Sequence, residues 1–199
     1  MWRFLSDSLS VVSKRLFFLM VLNLLFFGGI VAGALLGRLG LVDLYWWPFG
    51  ERILNREVVF SSWLVLEIFF FNLVVSGFVL LTLSGMVFFP VSLAFLMIRV
   101  LLWGMLLNQL STSLLLAVLP TLILEGEAYV IAAVAGVTVG LSWLRPSWAY
   151  KGQNLSRKEA FRMAVIECGR MYVLVAMLLL VGAVVETVTI VYALIGLQM

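Results

Sequence analysis

Five long apolar segments dominate the chain, and short polar stretches separate them. A helix rises about 1.5 Å per residue, so roughly 20 apolar residues cross the hydrocarbon layer of a bilayer. Each segment reaches that length, which predicts an all-α, polytopic transmembrane helical bundle of about five spans. The spans are expected near residues 16–36, 58–83, 86–107, 114–144 and 171–195. Together they form a single integral membrane domain, 1–199.

Two polar segments are expected to form structure beside the membrane. Residues 1–15 carry apolar side chains at helical spacing, namely Trp2, Leu5, Leu9 and Val12. This pattern predicts an interfacial amphipathic helix, with a frayed terminus as the alternative. Ser156 and Glu159 have the spacing of a capping box, so a helix is expected to start there and continue into the fifth span. The first span exceeds the ~7–15 residues of a signal-peptide core, so an uncleaved helix is expected.

Composition excludes several classes of protein. The chain is 64% hydrophobic and 12% charged, whereas a soluble domain is about half apolar and about a quarter charged. It contains no histidine, and Cys168 is its one cysteine. These counts exclude a Ser-His-Asp hydrolase and an internal disulfide, and they argue against a catalytic zinc site. No cofactor and no metal are expected, and the net charge of +3 is too small to indicate a nucleic-acid partner.

The basic residues predict how the bundle is oriented. Residues 1–15 hold three Lys or Arg and residues 145–170 hold six, which together are nine of the 13 in the chain. Five spans place both segments on the same side, and the positive-inside rule makes that side cytoplasmic. We therefore expect a multi-pass protein of the cell membrane with a cytoplasmic N-terminus, a basic cytoplasmic segment at 145–170 and a C-terminus outside.

Charged and polar residues inside the spans mark the candidate site. Such residues are costly in a bilayer, and they usually face protein or a water-filled cavity. Their positions along the spans place them in the outer half of the membrane. The predicted intramembrane polar cluster consists of Glu67, Asn72, Arg99, Glu125 and Glu186. Glu127 is a further candidate, although its place near a span end also allows it to reach water or the headgroups.

Small residues predict how two of the spans pack. In the fourth span they form an i, i+4 ridge, made of Ala128, Ala132, Gly136 and Gly140. Glu125 falls in the middle of this ridge, whereas Glu127 points about 100° or more away. A second ridge in the first span, made of Gly29, Gly33 and Gly37, is expected to pack against it. If Glu125 and Glu186 lie in contact, we expect them to share a proton or to bond to Arg99, the structural counter-ion.

Three stretches stand out as motifs: "LPTLILEGEAYVIAAVAG", "SRKEAFRMAVIECGR" followed by "LLVGAVVETVTIVY", and "FFFNLVVSG". They resemble the stage II sporulation protein M family. In the family pattern a proline precedes a glutamate by five residues, and the last helix has a glutamate after a small-residue turn. The resemblance covers about residues 65–192, and the matching positions are Asn72, Pro120, Glu125, Ala128 and Glu186.

This chain departs from the family pattern at two places. Thr121-Leu122 stands where relatives have His-Gly, and Glu127 stands where they have proline. The resemblance implies a polytopic membrane protein. The family's namesake acts with peptidoglycan-degrading partners during engulfment in sporulating bacteria, and many relatives occur where there is no sporulation.

Three classes of function remain open from the sequence. The first is a non-enzymatic scaffold or subunit of a membrane complex, with other membrane or envelope proteins, or further copies of itself, as partners in the lipid bilayer. The second is a transport protein, either a permease subunit working with a soluble ATPase or a small channel, that uses the intramembrane carboxylates. The third is an intramembrane enzyme, which the absence of a complete catalytic constellation disfavours.

Overall fold

The computed structural model describes residues 2–40 and 62–196, and this part of the chain is helical and contains no strand. Five of its helices are long and apolar enough to cross a membrane, which confirms the predicted helical bundle. The predicted loop at 38–57 lies mostly outside the described residues, as does the start of the 58–83 span. The described helices are α1 (Trp2–Lys14), α2 (Leu16–Gly37), α3 (Ser62–Val87), α4 (Phe89–Leu107), α5 (Thr112–Leu144) and α6 (Arg157–Gly196).

Helix α5 lies at the centre of the bundle. Residues 128–142 are buried on every face, which is expected for a helix that other helices surround. It contacts α6 most extensively, and it also packs against α2, α3 and α4. The helix continues through Pro120. A polar side chain on α5 can therefore meet partners from several spans at once.

The middle of α3, Phe71–Leu83, is π-helical. Its i→i+5 hydrogen bonds widen the turn, so the buried positions recur every four to five residues: Asn72, Ser76, Gly77, Leu81 and Thr82. π-helical turns are uncommon and often lie at functional sites. Here the wider turn brings the polar side chains of α3 onto one face, toward α4 and α5.

The predicted pairing of the two small-residue ridges is wrong. A Cβ atom added to Gly33 would lie 3.0 Å from the Cα atom of Gly104, so α2 packs against α4. A Cβ atom added to Gly136 would lie 2.6 Å from the carbonyl oxygen of Thr82, so the ridge of α5 packs against α3. The pairing differs because α3 and α4 present small residues of their own, namely Gly85 and Gly104.

The predicted N-terminal helix is present as α1, and it packs against the first part of α6. Arg15, between α1 and α2, forms a 2.8 Å ion pair with Glu167 of α6 and donates a hydrogen bond to the Ala149 carbonyl. Its guanidinium also lies 4.8 Å from the ring centroid of Tyr150. These contacts hold α1 against the bundle, and its position on a membrane surface stays a prediction.

The predicted capping box is confirmed. The Ser156 amide donates to the Glu159 carboxylate at 2.9 Å, and the Glu159 amide donates to the Ser156 hydroxyl at 3.4 Å. Helix α6 starts here and runs without a break to Gly196 over 40 residues. At 1.5 Å per residue its length is about 60 Å, roughly twice the thickness of the hydrocarbon layer.

Candidate functional site

Glu125 lies at the centre of the polar cluster. It is 3% exposed on α5, and its two carboxylate oxygens have different partners. Asn72 of α3 donates its amide Nδ2–H to Oε1 at 2.6 Å, and the Tyr129 hydroxyl donates to Oε2 at 3.4 Å. Tyr129 reaches the carboxylate because residues four apart lie on the same face of a helix. Gly182 allows α6 to come close, since a Cβ atom there would lie 3.1 Å from the Cγ atom of Glu125.

Arg99 of α4 joins the cluster through Tyr129. Its Nη2–H donates to the Tyr129 hydroxyl oxygen at 2.8 Å, and its Nη1–H donates to the Ser76 hydroxyl at 2.8 Å. The guanidinium also lies 4.2 Å from the ring centroid of Tyr129 and 4.9 Å from that of Trp103. Attraction between Arg99 and Glu125 offsets part of the cost of burying the carboxylate. Arg99 therefore occupies the position of the expected counter-ion, with the tyrosine hydroxyl between the two charges.

Glu186 brings α6 into the same cluster. Its side chain is 7% exposed and lines the same small cavity as Glu125. An ionised carboxylate only accepts hydrogen bonds, so a direct bond between the two groups would require at least one proton. The structure thus places the two glutamates beside one cavity, and the shared proton stays a prediction.

A small cavity adjoins the two carboxyl groups. Its volume is about 20 Å³, and α4, α5 and α6 contribute its walls, which include Trp103, Thr121, Leu122, Glu125 and Glu186. The Thr121 side chain is 6% exposed, and its hydroxyl has no hydrogen-bond partner within the described residues. A cavity needs about 10–15 Å³ to hold one water molecule. This one has room for about one water beside the hydroxyl and the acids.

The positions of the other two predicted acids differ from each other. Glu127 is half-buried, and its carboxylate accepts a hydrogen bond from Asn23 of α2 at 3.3 Å, so it faces a neighbouring helix on the other side of α5. Glu67 is half-buried on the α-helical start of α3, five residues before Asn72. The structure therefore brings together Asn72, Arg99, Glu125 and Glu186 out of the predicted set.

Three members of the cluster were not predicted from the sequence: Ser76, Thr121 and Tyr129. Their spacing could have indicated them, because residues four apart lie on the same face of a helix. Ser76 follows Asn72 by four residues, Tyr129 follows Glu125 by four, and Thr121 precedes Glu125 by four. Within the described residues no three His, Cys, Asp or Glu side chains gather where they could hold a metal ion. The arrangement can bind a proton and one water, and it ties α3, α4, α5 and α6 together.

Comparison with known proteins gives one match. The model of the stage II sporulation protein M family matches residues 22–189. This range is most of the chain, and it contains all four clustered residues that the sequence predicted. No curated protein and no solved structure matches the chain.

Proposed function

The chain belongs to the stage II sporulation protein M family, and we propose that it is a non-enzymatic subunit of the cell membrane that anchors or positions partner proteins. The observation that carries this proposal is the extension of α6 beyond the length of one membrane crossing, with an apolar surface on its outer side. The polar cluster serves this role by stabilising the packing of the helices against which α6 lies.

The apolar surface lies on the first three turns of α6. Phe161, Val165 and Ile166 are between 40% and 50% exposed, and we call them the α6 strip. The opposite face of the same turns, with Ala160 and Ala164, is fully buried in the bundle. One face therefore fixes the helix, and the other is free to contact a protein.

Positive charges border the α6 strip. Arg157, Lys158 and Arg162 are exposed on the same turns. An apolar centre with a charged rim is the usual composition of a protein interface. The partner that this surface suits best is a membrane or envelope protein with an apolar patch and acidic side chains around it.

The small volume of the polar site supports a role without catalysis. Sites that bind small molecules have volumes of about 300–1,000 Å³, whereas the cavity beside Glu125 and Glu186 is about 20 Å³. This volume is more than tenfold smaller than that of a typical small-molecule site.

Recovery of the tagged chain from native membranes, followed by quantitative mass spectrometry, tests the proposal. We expect wild type to retain one or a few proteins at a fixed ratio, and a Phe161→Ala/Ile166→Ala variant to lose them. A matched control is Val181→Ala/Val188→Ala, which changes two exposed apolar positions deeper in α6. Equal recovery by all three forms, or recovery of the chain alone, would overturn the proposal.

The second candidate function is transport, either as a permease subunit with a soluble ATPase or as a small channel. The specific observation in its favour is the unpartnered hydroxyl of Thr121 beside two carboxyl groups and a cavity of one-water size, since clustered intramembrane acids form proton relays in transporters. Proton flux that depends on Glu125 and Glu186 would support transport over the anchoring role.

A further inference from the structure

An apolar groove runs along the bundle between α2, α4 and α5. Its volume is about 440 Å³, within the range of ligand sites. The walls are almost entirely apolar, and they include Phe18, Val21, Leu25, Leu93, Val137 and Leu141. At one end the groove reaches Trp148 and Lys151, which lie between α5 and α6. We call this surface the acyl groove.

A second, polar cavity continues from that end. It also has a volume of about 440 Å³, and it shares Phe18, Trp148 and Lys151 with the acyl groove. Its other walls include Lys14, Gln153 and the ion pair of Arg15 with Glu167. We call it the head chamber. The shared residues make the acyl groove and the head chamber direct neighbours, and the lining of the head chamber is the more polar of the two.

The head chamber has a net positive charge. Glu167 neutralises Arg15 at 2.8 Å, and the lysines Lys14 and Lys151 are both exposed and form no ion pair within the described residues. The chamber therefore keeps two ammonium groups that an anion can contact. Burial and the Glu167 carboxylate raise the pKa of Tyr150, so its hydroxyl stays protonated and donates to Glu167 at 3.1 Å.

We propose that the acyl groove and the head chamber bind one anionic phospholipid. An acyl chain lies in the groove, and the phosphate lies in the chamber within reach of Lys14 and Lys151. Basic pockets between membrane helices commonly bind anionic headgroups, and tryptophan side chains such as that of Trp148 are enriched at membrane surfaces. This site is separate from the α6 strip and does not depend on the proposed function.

The combination of the two cavities selects a lipid rather than a free anion. Inorganic phosphate would use the lysines alone and would leave the acyl groove without a ligand. A zwitterionic lipid such as phosphatidylcholine would fill the groove, but the positive choline group of its headgroup would offset the attraction between its phosphate and the two lysines. The ligand that satisfies both parts has an apolar chain and a headgroup with a net negative charge.

Native mass spectrometry of the intact, purified chain tests the charge of the ligand. We expect one molecule of phosphatidylglycerol to bind more tightly than phosphatidylcholine. Each basic residue near a lipid surface contributes about 1 kcal/mol, or about fivefold in affinity. Lys14→Gln/Lys151→Gln should therefore weaken phosphatidylglycerol binding by roughly 25-fold. Lys158→Gln, an exposed lysine of the same basic segment outside both cavities, should leave it unchanged.

A second pair of variants tests the groove. Val21→Trp places a large side chain in the acyl groove from the exposed side of α2 and should abolish tight binding of phosphatidylglycerol. Val31→Trp, at an exposed position of the same helix that does not line the groove, should not. Equal affinity for the two lipids, unchanged affinity in the double lysine variant, or displacement of the lipid by inorganic phosphate would overturn the proposal.

Discussion

At the scale of single residues, Tyr129 determines the geometry of the polar cluster. Its hydroxyl accepts from Arg99 at 2.8 Å and donates to Glu125 at 3.4 Å, so one oxygen links the cation to the acid. The tyrosine is fully buried. A buried polar group is tolerated when it has hydrogen-bond partners. Here the Tyr129 hydroxyl is a partner for both the Arg99 guanidinium and the Glu125 carboxylate.

Asn72 is expected to stabilise the fold through Glu125. Asn72→Ala removes the 2.6 Å hydrogen bond to a carboxylate that is 3% exposed, and an unsatisfied buried group costs about 1–3 kcal/mol. We therefore expect a lower midpoint of thermal unfolding in detergent. Asn154→Ala, at an exposed position, is the control and should leave the midpoint unchanged. Equal midpoints for the two variants would show that the contact contributes nothing.

Arg99 and Glu125 should be energetically coupled. Arg99→Leu leaves the acid without its counter-ion, and a second change, Glu125→Gln, removes the charge that needed it. In a double-mutant cycle we expect the paired variant to be more stable than the sum of the single effects by about 0.5–3 kcal/mol. The same cycle with Glu127→Gln, on the other side of α5, should be additive. Additivity in both cycles would show that Arg99 and Glu125 do not interact energetically.

The single residues also show what a sequence can predict about this site. Asn72, Arg99, Glu125 and Glu186 could be found because a charge or amide inside an apolar run is conspicuous. Tyr129 and Thr121 could not be found in that way, because tyrosine and threonine are ordinary in membrane helices. Spacing along α5 also separated the two acids correctly: Glu125 lies on the small-residue ridge and joins the cluster, whereas Glu127 lies on another face and bonds to Asn23.

At the scale of the helices, glycine positions determine how closely the spans approach. Gly33 faces the Cα atom of Gly104 across the contact between α2 and α4, and Gly136 faces the backbone of Thr82 on α3. The small-residue ridges were visible in the sequence, yet their partners were assigned wrongly. A ridge is a property of one helix, whereas its partner depends on how all five spans fit together. The π-helical segment of α3 was not predicted for the same reason, because its residues form an ordinary apolar run and its geometry depends on how α3 packs against the other spans.

Substitution of two glycines in α2 tests the packing of the helices. Gly33→Ala places a Cβ atom 2.9 Å from the carbonyl carbon of Leu101, which forces the helices apart and should lower the unfolding midpoint. In the part of the chain that the structure describes, a Cβ atom added at Gly28 meets no neighbouring atom within 4 Å, so the better helix propensity of alanine should leave stability unchanged or higher. Destabilisation by Gly28→Ala alone would refute the observed packing of α2 on α4.

At the scale of the whole molecule, the predicted orientation can be tested by labelling. Five spans with both basic segments in the cytoplasm place the 38–57 loop outside. In a Cys168→Ala background, Arg52→Cys should react with an impermeant maleimide in intact cells, and Lys158→Cys should react only after permeabilisation. The reverse pattern would show that the count of basic residues predicted the wrong orientation of the bundle in the membrane.

The number and type of the spans were predictable because length and apolarity are local properties of each segment. The volume of the cavity beside Glu125 and Glu186 was not, since side chains from three helices line it. Access to the site distinguishes the two candidate functions, because a cluster that only holds the helices together is closed, whereas a proton path is open at both ends.

Proton flux through the purified chain in liposomes, followed with a trapped pH-sensitive dye under a pH gradient, tests directly whether the cluster is closed. We expect the rate to equal that of liposomes without protein, and to be the same for wild type and for Glu125→Gln/Glu186→Gln. Wild-type flux above that background, if the double variant abolishes it, would contradict a purely structural role for the cluster. It would establish the two glutamates as part of a transport path.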